Sequence, residues 1–162
     1  MFFKRKRAPG SLGHLDHASP HRKDCKVIKT QDGVEVHVFW KQVGAGSGPS
    51  CSVFVLGHEL MKFDCFGDTD GHYHIALPSR AGSTCNVLRF DVATVEEQID
   101  RAVFEVANNL VFYCERCVHP SVRKFKIDQS TVAGAAPDIK TALFEALDAW
   151  KCANGLHAGL ND

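Results

Sequence analysis

From Cys25 onward, apolar and polar positions alternate with period two. Val34, Val36, Val38 and Trp40 interleave with Glu35, His37, Phe39 and Lys41, the pattern of a strand with one face on a core. Gln31-Asp32-Gly33 is a turn signal, so Cys25–Thr30 and Val34–Lys41 are expected to form a hairpin. Gly44 to Pro49 reads as a flexible loop, and Ser52–Leu56 as a central strand that is apolar on both faces. A second hairpin is expected where a Gly-Asp-Thr-Asp-Gly loop separates Gly57–Phe66 from His72–Leu77. Pairing Cys65 with Tyr73, Phe63 with Ile75 and Met61 with Leu77 gathers the apolar side chains on one face. That register places Asp64 opposite His74, Phe66 opposite His72 and Lys62 opposite Ala76. A further strand is expected at Cys85–Val92.

The period then changes to that of a helix. Thr94-Val95-Glu96-Glu97 forms a capping box, in which the Thr94 hydroxyl and the Glu97 carboxylate each take a backbone N–H. Val95, Ile99, Ala102, Val103, Val106, Leu110 and Tyr113 make one apolar stripe. A connection follows over residues 118–136, with a short strand at Arg123–Ile127. The second helix opens near Pro137 and closes at Asn154-Gly155, burying Ile139, Ala142, Leu143, Ala146, Leu147 and Trp150. Strands in succession and then helices imply an α+β fold. The expected architecture is an antiparallel meander of five to six strands, covered on one face by two C-terminal amphipathic helices. Residues 25–162 form one domain in this reading, and residues 1–24 an irregular N-terminal arm.

Composition narrows the function. The chain has 162 residues and 44% hydrophobic positions, enough for one domain with a real core. Its 19 basic side chains balance 19 acidic ones, so the basic excess of a dedicated nucleic-acid binder is missing. No apolar run approaches the roughly 18–20 residues that span a bilayer, and no membrane partner is expected. The seven cysteines are odd in number and follow a start without the pattern of a signal peptide. Reduced thiols in the cytoplasm are the expectation. The basic run Lys4–Arg7 is read as a solvated terminus, or else as a tail for an acidic partner.

Two clusters could carry chemistry. The sheet face away from the helices collects Glu35, His37, Lys62, Asp64, His72, His74 and Arg89. Asp64, His72 and His74 have the composition of a two-histidine, one-carboxylate metal site, with His37 or His58 as a further ligand. The same three side chains suit acid–base work, Asp64 orienting His74, and they equally suit a plain solvated sheet face. Phe39 and Phe66 on that face, with Arg89, are candidate anchors for a protein partner, because exposed aromatics call for a cover. The second cluster is Cys114, Cys117 and His119, with Cys152 and His157 at the end of the other helix. Those thiols could hold zinc if the two helices run parallel; otherwise they are buried apolar cysteines. A thioredoxin-type role fails, because this Cys-x-x-Cys closes a helix, where the dipole disfavours a thiolate.

Asp68-Thr69-Asp70-Gly71 begins like a calcium loop, but Leu77 stands where the closing glutamate is required. The expected function is a small accessory subunit or partner-binding module of a larger intracellular assembly, without catalysis of its own. The alternative is a metal-binding protein or metal-dependent enzyme built on the Asp/His cluster, holding zinc or another transition-metal ion. A protein partner or a second copy of the chain is expected in the first case.

Overall fold

A computed structural model describes residues 22–44, 46–76 and 86–154. The N-terminal arm up to residue 21, Leu77, the loop after it and His157 lie outside the described residues. Six strands lie in sequence order in one antiparallel sheet: β1 Arg22–Gln31, β2 Val34–Val43, β3 Gly46–Val55, β4 His58–Asp64, β5 His72–Ile75 and β6 Asn86–Arg89. The helices are α1 Gly67–Asp70, α2 Val95–Arg116, α3 Pro120–Lys124, α4 Gln129–Gly134 and α5 Ala136–Ala153. The α+β class, the meander and the C-terminal helices are as the sequence predicts. No helix among the described residues is long and apolar enough to cross a membrane.

Alternation along the strands builds the core. Val34, Val36 and Val38 pair with Val55, Val53 and Cys51, and all six are at most 1% exposed. Met61 and Phe63 continue this face into β4, and Ile99, Ala102, Val106 and Leu110 of α2 close over it with Ile139, Ala142, Leu143 and Leu147 of α5. The capping box of α2 is formed, with Glu97 N–H donating to the Thr94 hydroxyl at 3.2 Å. Lys151 of α5 meets Glu96 of α2 at 3.2 Å, so the end of α5 lies beside the start of α2.

Several local expectations change. The glycine-rich loop begins β3 instead: Gly46 and Gly48 pair with Val43 and Lys41. A side chain at Gly48 would strike the Cys65 carbonyl and the Phe66 ring, so glycine serves close packing there rather than flexibility. The segment after α2 holds α3 and α4 and no strand at 123–127. Pro120 fits the first turn of α3, and Asp128 caps α4 by accepting from the N–H groups of Ser130 and Thr131. β6 is shorter than the expected strand.

The β4–β5 register moves by two residues. Met61 pairs with Ile75, Lys62 with His74, Phe63 with Tyr73 and Asp64 with His72. The expected register assumed a tight loop, but the connection coils into α1, which Gly71 closes by donating to the Gly67 carbonyl at 3.0 Å. That coil consumes Cys65 and Phe66. A shift of two preserves each side chain's face, so the apolar face is as expected and only the opposing partners change.

Candidate metal centre

One ladder row crosses the sheet face opposite the helices as Phe39, Ser50, Asp64, His72 and Arg89. The next runs His37, Ser52, Lys62, His74 and Val87. Period two and antiparallel pairing thus place Asp64 directly across from His72 and diagonal to His74. One ligand atom from each of the three lies within 4.8 Å of the others. The Nε2 atoms of His72 and His74 stand 3.5 Å and 3.9 Å from Asp64 Oδ2. A tetrahedral ion with bonds near 2.0–2.1 Å spaces its ligands about 3.3 Å apart, so the triangle has to contract by up to about 1.5 Å along its longest edge to close on an ion.

The surroundings prepare the ligands. His72 Nδ1 donates to the Asp70 carbonyl at 2.6 Å. A carbonyl only accepts, so Nδ1 carries a proton, and Nε2 is the ring atom turned toward Asp64. Backbone hydrogen bonds of this kind commonly orient metal-bound histidines. The helical turn α1 supplies that carbonyl, and Arg89 steadies α1 through a 2.8 Å contact with the Asp70 carboxylate. Burial, with Lys62 adding to it, pushes the His74 pKa down to about 4; the ring is neutral and ligand-ready at ordinary pH.

Asp64 is fully buried, and its charge is met from β2. Lys41 Nζ lies 2.6 Å from the same Oδ2, its side chain 13% exposed. The lysine reaches Asp64 because its cross-strand neighbour on β3 is Gly48. Asp64 Oδ1 and the hydroxyls of Ser50 and Ser52 are buried without a hydrogen-bond partner. Lys41, Ser50 and Ser52 were missing from the sequence-predicted site. Their signal is the same alternation that placed His37 on this face, carried onto β3 and two same-face positions further along β2.

The other predicted residues separate from this cluster. His37 Nε2 contacts Glu35 at 2.9 Å, and His58 stacks on His119 with ring centroids 4.2 Å apart; neither joins Asp64 as a further ligand. Phe39 is fully buried and Phe66 only 5% exposed, which removes both as exposed anchors. The Phe66 ring instead fills the space over Gly46 and Gly48. Arg89 is exposed but engaged with Asp70. This sheet face is therefore not simply solvated, since Phe39, Ser50, Ser52 and Asp64 are all inaccessible.

The cysteine cluster does not assemble. Cys152 follows Lys151 at the start of α2, whereas Cys114 lies some 27 Å of helix further on. The helices meet end to start, so the parallel arrangement required for zinc is absent. Cys117 is buried and accepts the His119 backbone N–H at 3.4 Å. Burial, with a smaller contribution from Cys117, drives the Cys114 pKa up to about 12, which keeps it a thiol. Comparison with known protein families, curated proteins and solved structures finds no match for this chain.

Proposed function

We propose that this chain is a metal-binding protein whose centre is Asp64, His72 and His74, with zinc the best-suited ion. The observation that supports it is the convergence of two imidazole nitrogens on one buried carboxylate oxygen. His72 Nε2 faces a negative oxygen, an arrangement that suits a cation between them. Three protein ligands leave the fourth tetrahedral position open, as catalytic rather than purely structural zinc sites do. Elemental analysis of protein purified without a histidine tag tests the reading. Close to one equivalent of zinc is expected, with at least a tenfold loss of affinity in His74→Ala; equal metal content in wild type and variant would refute it.

A second reading keeps the partner-binding role but moves it to α2. Phe104 and Phe112 are 51% and 48% exposed, lie on one side of the helix, and carry Arg101 and Arg116 over their rings. Such a face suits a protein partner. Sedimentation of wild type and Phe104→Ser/Phe112→Ser across a concentration series tests self-association; identical monomeric profiles would leave only a different protein as partner.

A further inference from the structure

We propose that the cavity between α5 and the β1–β2 pair binds a small organic amine in its protonated form, with the apolar body against Trp40 and Trp150 and the ammonium group at Asp24. The cavity measures about 540 Å³, inside the range of roughly 300–1,000 Å³ typical of small-molecule pockets. It lies on the helix-covered side of the sheet, where Trp40 belongs to the core, and not on the Asp64 face. Its origin is in the sequence of α5. Ala142, Ala146, Ala149 and Ala153 recur at helical spacing, and all four line the cavity. Side chains that end at Cβ leave the gap between helix and sheet unfilled. Trp40 and Trp150, stacked at 5.0 Å with their planes 10° apart, give it an aromatic wall.

Charge selects the occupant. Two carboxylates, Asp24 and Glu145, and one ammonium group, Lys26, line the cavity. Lys26 and Glu145 meet at 3.0 Å, linking β1 to α5, so Asp24 carries the excess negative charge. The backbone places that carboxylate. Lys23 pairs with Trp40 and Lys26 with Val38, so Asp24 and Cys25 together oppose Phe39, as in a β-bulge. Asp24 takes a φ of 53°, a left-handed conformation that aspartate tolerates better than most side chains. This departure from the regular strand sets its side chain on the cavity, the re-aiming that bulges commonly perform. An aromatic wall beside a carboxylate in charge excess holds organic ammonium ions through ring and charge together. A carboxylic acid would meet Asp24 as a like charge. A neutral molecule would gain only the apolar contact.

Trp40 and Trp150 are the two tryptophans of the chain, so intrinsic fluorescence reads this cavity. The full-length protein is titrated at neutral pH with phenethylamine, phenethyl alcohol and phenylpropionate, which share a body and differ in charge. Excitation at the red edge of the tryptophan band avoids absorption by the probes. A saturable change is expected with the amine, binding about tenfold weaker with the alcohol, and no response to the acid. Asp24→Asn, which keeps a side chain suited to the left-handed backbone, should bring the amine down to the affinity of the alcohol. Ala146→Leu should fill the space and abolish the response to both. Should Ala146→Leu fail to fold, Asp24→Asn alone decides. The inference is overturned by a wild type without a saturable response to the amine, by an alcohol bound as tightly as the amine, or by an amine affinity unchanged in Asp24→Asn. A response intact in folded Ala146→Leu would place the amine outside the cavity and overturn it equally.

Discussion

The sheet face around Asp64 and the helix end around Cys114 began as equals, each a cluster of metal-ligating side chains on neighbouring elements. Folding brings only the first together. Strand geometry is the reason: residues two apart share a face, and the adjacent strand lies about 4.8 Å away. Asp64, His72 and His74 therefore converge in the observed β4–β5 register and would equally have done so in the expected one two residues away. The cysteines depended on the relative direction of two long helices. Since α5 ends beside the start of α2, Cys152 and Cys114 lie at opposite ends of the pair. A cluster confined to one hairpin is fixed by local pairing; a cluster split between helices is hostage to topology.

The two regions should also respond differently to loss of one member. Asp64→Ala leaves the Lys41 ammonium, only 13% exposed, without its carboxylate. Breaking a buried pair from one side costs about 3–5 kcal/mol, and urea denaturation should register a loss of that order. Removing both charges in Asp64→Leu/Lys41→Met should recover most of it, because an apolar replacement of a buried pair is often neutral. A loss below about 1 kcal/mol in Asp64→Ala would mean that the pair contributes nothing beyond a surface ion pair.

Cys114→Ala should cost less, about 1–2 kcal/mol, from lost burial and a small cavity. The sharper contrast is with zinc. Its addition should raise the melting temperature of Cys114→Ala as much as that of wild type, and should leave His74→Ala unmoved. A zinc response that vanished in Cys114→Ala would reverse the assignment of the two regions.

What was legible in the sequence follows the same division. Period two along β2, β4 and β5 was enough to place Asp64, His72 and His74 on one face. It remained enough when the register moved by two, because the displacement was even. The opposing partner was not legible: residues 67–70 look like a turn, and nothing local says that they coil into α1. Phe39 and Phe66 misled for a related reason. Alternation assigns a side chain to a face but does not say whether that face is covered, and both rings are buried. Lys41 was visible in the same strand pattern as His37, yet its meeting with Asp64 depends on Gly48 lying between them.

The smallest expected effect belongs to the helix end and reads out in acid. His119 stacks on His58, and burial first, His58 second, hold its pKa below the ordinary value. In the unfolded chain the ring titrates near 6.5. As pH falls through that point the unfolded state takes up the proton first, so stability is full above it and declines on acidification. His74 adds to the decline with the same sign, down to about pH 4 where its folded form is protonated. His58→Gln removes the neighbouring imidazole but not the burial. It should flatten the acid limb only in part, which urea midpoints between pH 7.5 and 4.5 would resolve. An acid limb with the same slope in His58→Gln and wild type would mean that the two stacked rings do not influence each other's charge. The sensitivity would then belong to burial and to the Asp64 face.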